Sequence, residues 1–496
     1  MRVDVALPCI AGDTVVFRWT QSAPNPYQQT NEFFLRYEGI DLQAFSPVLF
    51  LEIFLGLQLG VFAVYGQPVE VVLPVPVPRP TVDYWRTYHD ADSVTIGPVA
   101  EDTGYFPWRV APVPSPGRRS IAVFFGGGKD STLTACLLSE LQGKDDVLVV
   151  QYVVPSHPGP DAAARVERRQ DGLMLRPVRE NLGLATRRVW TDYLAQMRIG
   201  SYRGRPHAEL YTLGALPLLL SHGVSLCTFC LSWTEYGFVR GPDGRPRFQN
   251  ARSRPEVLAT QSAHYRRALG TDLTVTNLNL LFTGLSAVRL LTERYPRAYA
   301  QFVSCTFGDV DQRWCYRCRK CAWYPFFGLH CGVVDPTFDY DRLLRTCTHL
   351  RRMAAYATTG VERSPTGNAP RHPSLKEDHV FPMFCHVVAG TDPRLIAGRH
   401  GPEAYANLAT IKALFGNRSY PGYEAIPAKA IDLLDHDLAR RVAGIAANHL
   451  AVVAELPPSS LSDAPEVEYD FGVRMPTKTE HLPHSRAGSS GASPAV

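Results

Sequence analysis

The spacing of apolar and polar positions divides the chain before any motif is considered. Glu32–Tyr37 (EFFLRY) and Val69–Leu73 (VEVVL) have the β-branched and aromatic content of strands. Between them, Val48–Tyr65 is apolar except for Glu52, Gln58 and two glycines. A run of that length with a carboxylate inside it reads as a buried helix rather than a membrane span. Pro74, Pro76, Pro78 and Pro80 predict an extended connection, and the prolines from Pro107 to Pro116 predict a linker. Ser120–Phe125 (SIAVFF) is a short apolar run of the kind that forms a buried strand. A glycine loop follows it, then a helical pattern over Ser131–Leu141 and a second apolar run, Val147–Val154 (VLVVQYVV). Strand, loop, helix, strand is the order of a βαβ unit in a parallel sheet.

Further helical patterns cover Ala208–Leu220 and Val257–Leu269. From about residue 345 helices dominate, the clearest being Pro402–Leu414, with its proline in the first turn, and Ile431–Leu450. The expected architecture is therefore α/β. An N-terminal α+β domain at 1–117 precedes a parallel-sheet domain at 118–345. A mainly helical region at 346–456 follows, and a Pro-, Ser-, Gly- and Ala-rich tail at 457–496 reads as disordered.

Composition narrows the class of function. A chain of 496 residues exceeds one ordinary core, which agrees with several domains. A net charge of +4 supplies no basic stripe for nucleic acid. The opening MRVDVALPCIAGD has no apolar signal core, so the expected compartment is the cytoplasm, with no membrane partner. Eleven cysteines in such a chain point to metal binding or catalysis rather than a disulfide framework.

The glycine loop is Gly126, Gly127, Gly128, Lys129, Asp130, Ser131. Three glycines between a buried strand and a helix let backbone approach a ligand, because no Cβ intrudes. The helix N-terminus then turns free N–H groups toward phosphate oxygens, to which Lys129 adds charge and Ser131 a hydroxyl. It is not a Walker loop, since Val123 stands where the first glycine belongs and Asp130 follows the lysine. A dinucleotide fingerprint fails too, because Ser131 occupies the third glycine position. Asp130 admits two roles, one near a phosphate-bridging Mg²⁺ and one as a helix cap.

Cys305, Cys315, Cys318 and Cys321 are spaced C-x9-C-x2-C-x2-C. Four thiolates at such steps suit a tetrahedral, structural Zn²⁺, with an iron–sulfur cluster on the last three as the alternative. Cys331 is a less regularly spaced fifth candidate. Cys227 and Cys230, outside that quartet, are either thiol acid/base groups or core cysteines. His207 and His222 are weighed in the same way, as bases or as satisfied histidines.

GGGKDS resembles the SGGxDS loop of the ATP pyrophosphatases, or PP-loop enzymes, with Gly126 replacing the usual serine. That resemblance implies cleavage of ATP to AMP and pyrophosphate, with Mg²⁺. The loop and the closing cysteines are similar to those of 7-cyano-7-deazaguanine synthase, which is about half this length. The longer plan looks like UDP-N-acetylmuramoyl-L-alanyl-L-glutamate epimerase. The local similarities, in order, are FRW at 17–19, GGGKDS, YTLGALPLLL at 211–220, ATQS at 259–262, RYP at 294–296 and WCYRCRKC at 314–321. Residues 227–236 depart from that family's pattern.

This resemblance implies a UDP-linked muramoyl dipeptide as the partner of the site, in peptidoglycan precursor synthesis. Its terminal glutamate would be activated as an acyl-adenylate, made acidic at Cα, and inverted. A different carboxylate or nucleobase, as in deazaguanine synthesis or tRNA modification, is the second expectation. A non-catalytic nucleotide-binding regulator is the third, and intact Lys129, Asp130 and Ser131 argue against it.

Overall fold

The two apolar runs flanking the glycine loop lie side by side in a computed structural model of the chain. It describes residues 1–101, 119–155, 160–197, 208–232, 238–240, 246–248, 253–305, 308–351, 353, 380–415, 422–434 and 437–454. The strands are β1 (Arg2–Val5), β2 (Cys9–Ala11), β3 (Thr14–Gln21), β4 (Glu32–Tyr37), β5 (Val69–Pro78) and β6 (Val94–Ala100). Beyond the glycine loop's own strand, β7 (Ile121–Phe124), come β8 (Val147–Val153), β9 (Ala185–Thr191) and β10 (Leu226–Thr228). A short ribbon, β11 (Phe238–Arg240) with β12 (Pro246–Phe248), precedes β13 (Thr274–Thr276).

β7 and β8 pair in parallel, Ile121 opposite Val147. β10 flanks β7 on its other side, Leu226 opposite Ile121, and β13 lies beyond it. With β9 outside β8, the order β13-β10-β7-β8-β9 is parallel throughout. Strands covered on both faces need no polar alternation, which explains the continuous apolar runs. Ile121, Val123, Val147 and Val149 enter one core, while Ala122, Phe124, Leu148 and Val150 enter the other.

The sheet does not stop at the boundary expected near residue 117. β9 pairs antiparallel with β4, Leu35 opposite Thr191, and the ladder continues through β3, β1, β5 and β6. The N-terminal strands and the parallel segment thus belong to one 11-stranded, mostly parallel sheet. The predicted extended connection is a strand as well, since β5 runs to Pro78 and pairs with β6. Its register shifts between Val72 and Val77, the stretch in which Pro74 and Pro76 have no N–H to give.

Helix α1 (Pro47–Ala63) is buried on all sides, as its composition predicts. Both polar side chains accept a buried hydrogen bond: Trp85 Nε1 donates to Glu52 at 2.6 Å, and Gln28 Nε2 donates to Gln58 at 2.5 Å. Gly56 is required by packing, because a Cβ there would fall 2.2 Å from Leu213. Among the described residues no helix is long and apolar enough to cross a membrane.

The C-terminal helices pack on the core that includes Ile121 and Val123. Pro402 lies inside a helix running Arg394–Phe415 rather than in its first turn. The segment expected as one helix at 431–450 is two, Ala428–Leu434 and Asp437–Ala447. The pattern at 208–220 also divides, into Ala208–Gly214 and Leu216–Ser221, with Pro217 opening the second. The predicted linker at 107–116 and the tail at 457–496 lie outside the described residues.

Candidate functional site

The chain leaves β7 toward β8 and β9, but β10 and β13 lie on the opposite side. In open α/β sheets such a reversal opens a crevice at the carboxyl ends of the strands, and ligands bind there. The glycine loop sits at this point, directly after β7. Helix α2 (Arg79–Tyr88) belongs to the N-terminal half, and the loop leads into α3 (Lys129–Gln142). Gly128 is the N-cap of α3, and no side chain caps it. Asp130 is therefore inside the first turn, and the capping role is ruled out. The first N–H groups of α3 lack intrahelical acceptors and carry the positive end of its dipole.

Gly127 has φ +72°, and a Cβ would stand 2.7 Å from Met174 Cγ and Sδ. Its carbonyl accepts from Val303 N at 2.6 Å. Gly126 differs: a Cβ there would meet nothing within 4 Å, so the serine of the resembled loop has room.

Lys129 is 2% exposed, and its Nζ lies 2.5 and 2.6 Å from the two carboxylate oxygens of Asp130. It also stands 5.1 Å over the ring of Tyr324. Asn279 Nδ2 donates to Asp130 Oδ1 at 2.8 Å, and Ser131 Oγ donates to Gly128 O at 3.2 Å. Burying a charge this deeply requires a partner, and Asp130 supplies it.

The other predicted acid/base candidates separate. Cys227 is at the centre of β10, between Ala122 and Val275, fully buried in the core opposite the one that α3 joins. Burial pushes its thiol well above the ordinary value. Cys230, just beyond the strand, is the thiol at the loop, interacting with the Thr134 hydroxyl and the Asp130 carboxylate. Burial raises it too, with the Thr134 hydrogen bond acting the other way. Both are therefore neutral thiols at physiological pH, and only Cys230 lies beside the loop. His222 is buried at the opposite end of the sheet, where its carbonyl accepts from Arg119 N ahead of β7. His207 lies outside the described residues.

Cys305, Cys315, Cys318 and Cys321 converge, with their Sγ atoms all within 4.8 Å of one another. The separations Cys318–Cys321, Cys315–Cys321 and Cys318–Cys305 are 3.5, 3.8 and 3.9 Å. A tetrahedron with Zn–S bonds of about 2.3 Å has edges of about 3.8 Å, so the quartet fits the ion. Arg317 N donates to Cys315 Sγ at 3.4 Å and Cys321 N to Cys318 Sγ at 3.5 Å, bonds that favour thiolates. The cluster can hold a metal such as zinc, and four protein ligands leave no coordination position open. Cys331 stands apart from it.

The quartet and the loop are mechanically joined. Ser304, next to Cys305, accepts from Lys129 N at 3.4 Å, and Val303 holds Gly127. Arg169 ties the backbone after Cys305 by donating to the carbonyls of Cys305, Asp309 and Gln312. Asn279, Ser304, Met174 and Tyr324 are absent from the sequence-based candidates because no local pattern marks them. Asn279 and Ser304 reach the loop from 149 and 175 residues away.

A second group of possible ligands among the described residues is His330, His386 and Glu424. No model of a known protein family matches the chain, and no curated protein matches it either.

Proposed function

We propose that the chain is an ATP-dependent enzyme that cleaves ATP to AMP and pyrophosphate at residues 126–131 and thereby activates a carboxylate. The observation that carries this reading is the uncapped helix start at the sheet's switch point, with Lys129, Asp130 and Ser131 gathered there. Backbone N–H groups of the loop would cradle the departing pyrophosphate, and Ser131 would donate to it. Lys129 is held by Asp130 before ligand arrives, and an incoming phosphate would compete for that ammonium group. Asp130, released in part, would face the Mg²⁺ that ATP brings, with Asn279 keeping its carboxylate oriented.

Within this class, the order of local similarities favours epimerisation of UDP-N-acetylmuramoyl-L-alanyl-L-glutamate. A free carboxylate beside Cα–H opposes proton removal, because an enolate would add charge to charge. Adenylation neutralises it, the Cα proton becomes acidic, and return of a proton to the other face inverts the centre. Hydrolysis of the adenylate then releases the D-glutamyl product. Cleavage of ATP drives product accumulation, which a racemase at equilibrium does not achieve. Cys230 would deliver the proton near the loop, in preference to Cys227, which lies inside β10 in the opposite core. The cysteine quartet would hold a structural zinc that braces the loop from behind.

The test is pyrophosphate release with ATP and each of three substrates: the UDP-muramoyl dipeptide, 7-carboxy-7-deazaguanine and tRNA. The dipeptide should respond, and in D₂O one deuterium should enter at the glutamate Cα per AMP formed. AMP formation without Cα exchange would keep the ATP chemistry and discard epimerisation. No AMP with any substrate would discard both.

A further inference from the structure

The helix Arg319–His330 carries Cys321 in its first turn and His330 at its end. At 1.5 Å per residue the two ends are roughly 15 Å apart, so the environment of His330 is separate from the cysteine quartet. His386, on the helix Val380–Gly390, and Glu424, just ahead of the short strand Ile426–Pro427, meet His330 there. One ligand atom from each lies within 4.8 Å of the others.

The tautomer of His330 follows from its surroundings. Its Nδ1 is 3.1 Å from the carbonyl of Val387, which only accepts, so Nδ1 carries a proton. Nε2 is the atom turned to Glu424 Oε1. His386 Nε2 is 3.8 Å from that same oxygen. The other oxygen, Oε2, is bound by the Arg289 guanidinium, which fixes the carboxylate plane and leaves Oε1 for the two imidazoles. An ordinary ion pair needs one imidazole; two converging on one carboxylate oxygen is the arrangement of a metal ligand set. The supporting bonds from His330 Nδ1 to a backbone carbonyl and from Arg289 to the carboxylate are the outer contacts that orient such ligands. The side chains of His330, His386 and Glu424 are 12, 13 and 27% exposed, so the group is open to an entering ion.

We propose that His330, His386 and Glu424 form a second metal site, for a divalent transition ion. Two nitrogens and one carboxylate oxygen select zinc or a neighbouring first-row ion over Mg²⁺ or Ca²⁺, which prefer oxygen throughout. The ion replaces the direct His330–Glu424 contact. Three protein ligands leave at least one coordination position for water or a small anion, so this site is open where the cysteine quartet is closed.

The experiment is a titration of full-length, metal-stripped protein with Zn²⁺ and with Co²⁺. Wild type should bind about two zinc ions per chain by this ligand count. Co²⁺ should give intense thiolate-to-metal absorption for one equivalent and weak visible bands alone for the other. His386→Ala and Glu424→Gln should each abolish the weak-band equivalent and keep the thiolate bands, whose presence shows that the variant is folded. A measurement without variants is ¹¹³Cd NMR of wild type, where a resonance typical of nitrogen and oxygen ligation should join the thiolate one. A single metal equivalent, a single thiolate resonance, or an unchanged second equivalent in His386→Ala overturns the proposal and leaves an ion pair only.

Discussion

The cysteine quartet and the His330–His386–Glu424 group are both convergent donor sets, yet they arise in opposite ways. The quartet comes from residues 305–321, folded by a tight turn at Tyr316 with φ +60° and by N–H donors of its own backbone. The histidine group is assembled from three elements, with Glu424 lying 94 positions after His330. A local knuckle announces itself in sequence and closes around its ion. A group gathered by tertiary packing does neither, and it keeps a position open for ligand. On the proposals above, the quartet would stabilise the fold and the other group would bind its ion reversibly.

The sharpest way to break that comparison is to remove one ligand from each. Cys318→Ser should cost more than about 3 kcal/mol in chemical denaturation, because a structural metal's binding energy is also folding energy. His386→Ala in metal-free protein should cost less than about 1 kcal/mol, its ion pair being partly solvated. Equal losses would erase the distinction between closed and open sites.

The loop sharpens the contrast between residues that hold structure and residues that do chemistry. Asp130→Ala strands a buried ammonium group, and a loss of about 2–4 kcal/mol should accompany complete loss of AMP formation. Gly127→Ala forces φ +72° on a residue with a Cβ and meets Met174, for about 1–3 kcal/mol. Thermal melts that leave it at wild-type stability would mean that Met174 yields and the backbone is not strained.

Ser131→Ala should cost only about 1 kcal/mol of stability but slow pyrophosphate release by about 100-fold. Wild-type turnover in that variant would remove the loop from the chemistry. Gly126→Ser should be smallest in stability, within about 0.5 kcal/mol, since the added Cβ meets nothing. The same change should lower the KM for ATP if the hydroxyl reaches phosphate, and a raised KM would mean the space is already used by ligand.

What the sequence disclosed follows the range of the forces involved. β4 matches its predicted bounds, and β7, α3 and β8 come within one or two residues, because apolar runs bounded by polar or glycine residues are short-range signals. The quartet was equally readable from spacing. The split helices at 208–221 were missed because apolar content masked the break before Pro217. At β5, the prolines predict a connection, yet tolerance at a register shift lets them stay in a strand. Which of Cys227 and Cys230 falls inside the strand is set by the length of β10, and three residues of sequence do not reveal it. Asn279 and Ser304 are long-range arrivals with no sequence signature.

The pairing of β9 with β4 also bears on how the molecule can be divided. Strands from residues 1–101 close the outer side of β9 through Leu35, Arg36 and Tyr37 opposite Thr191, Trp190 and Val189. Expressed alone, the part from residue 119 onward would present that side as an unsealed edge, a row of orphan amides ready to recruit a second chain. Co-expressed as two polypeptides, the halves should instead zip together along the same ladder. Fragment complementation, rather than truncation, is therefore the way to take this protein apart and keep it folded.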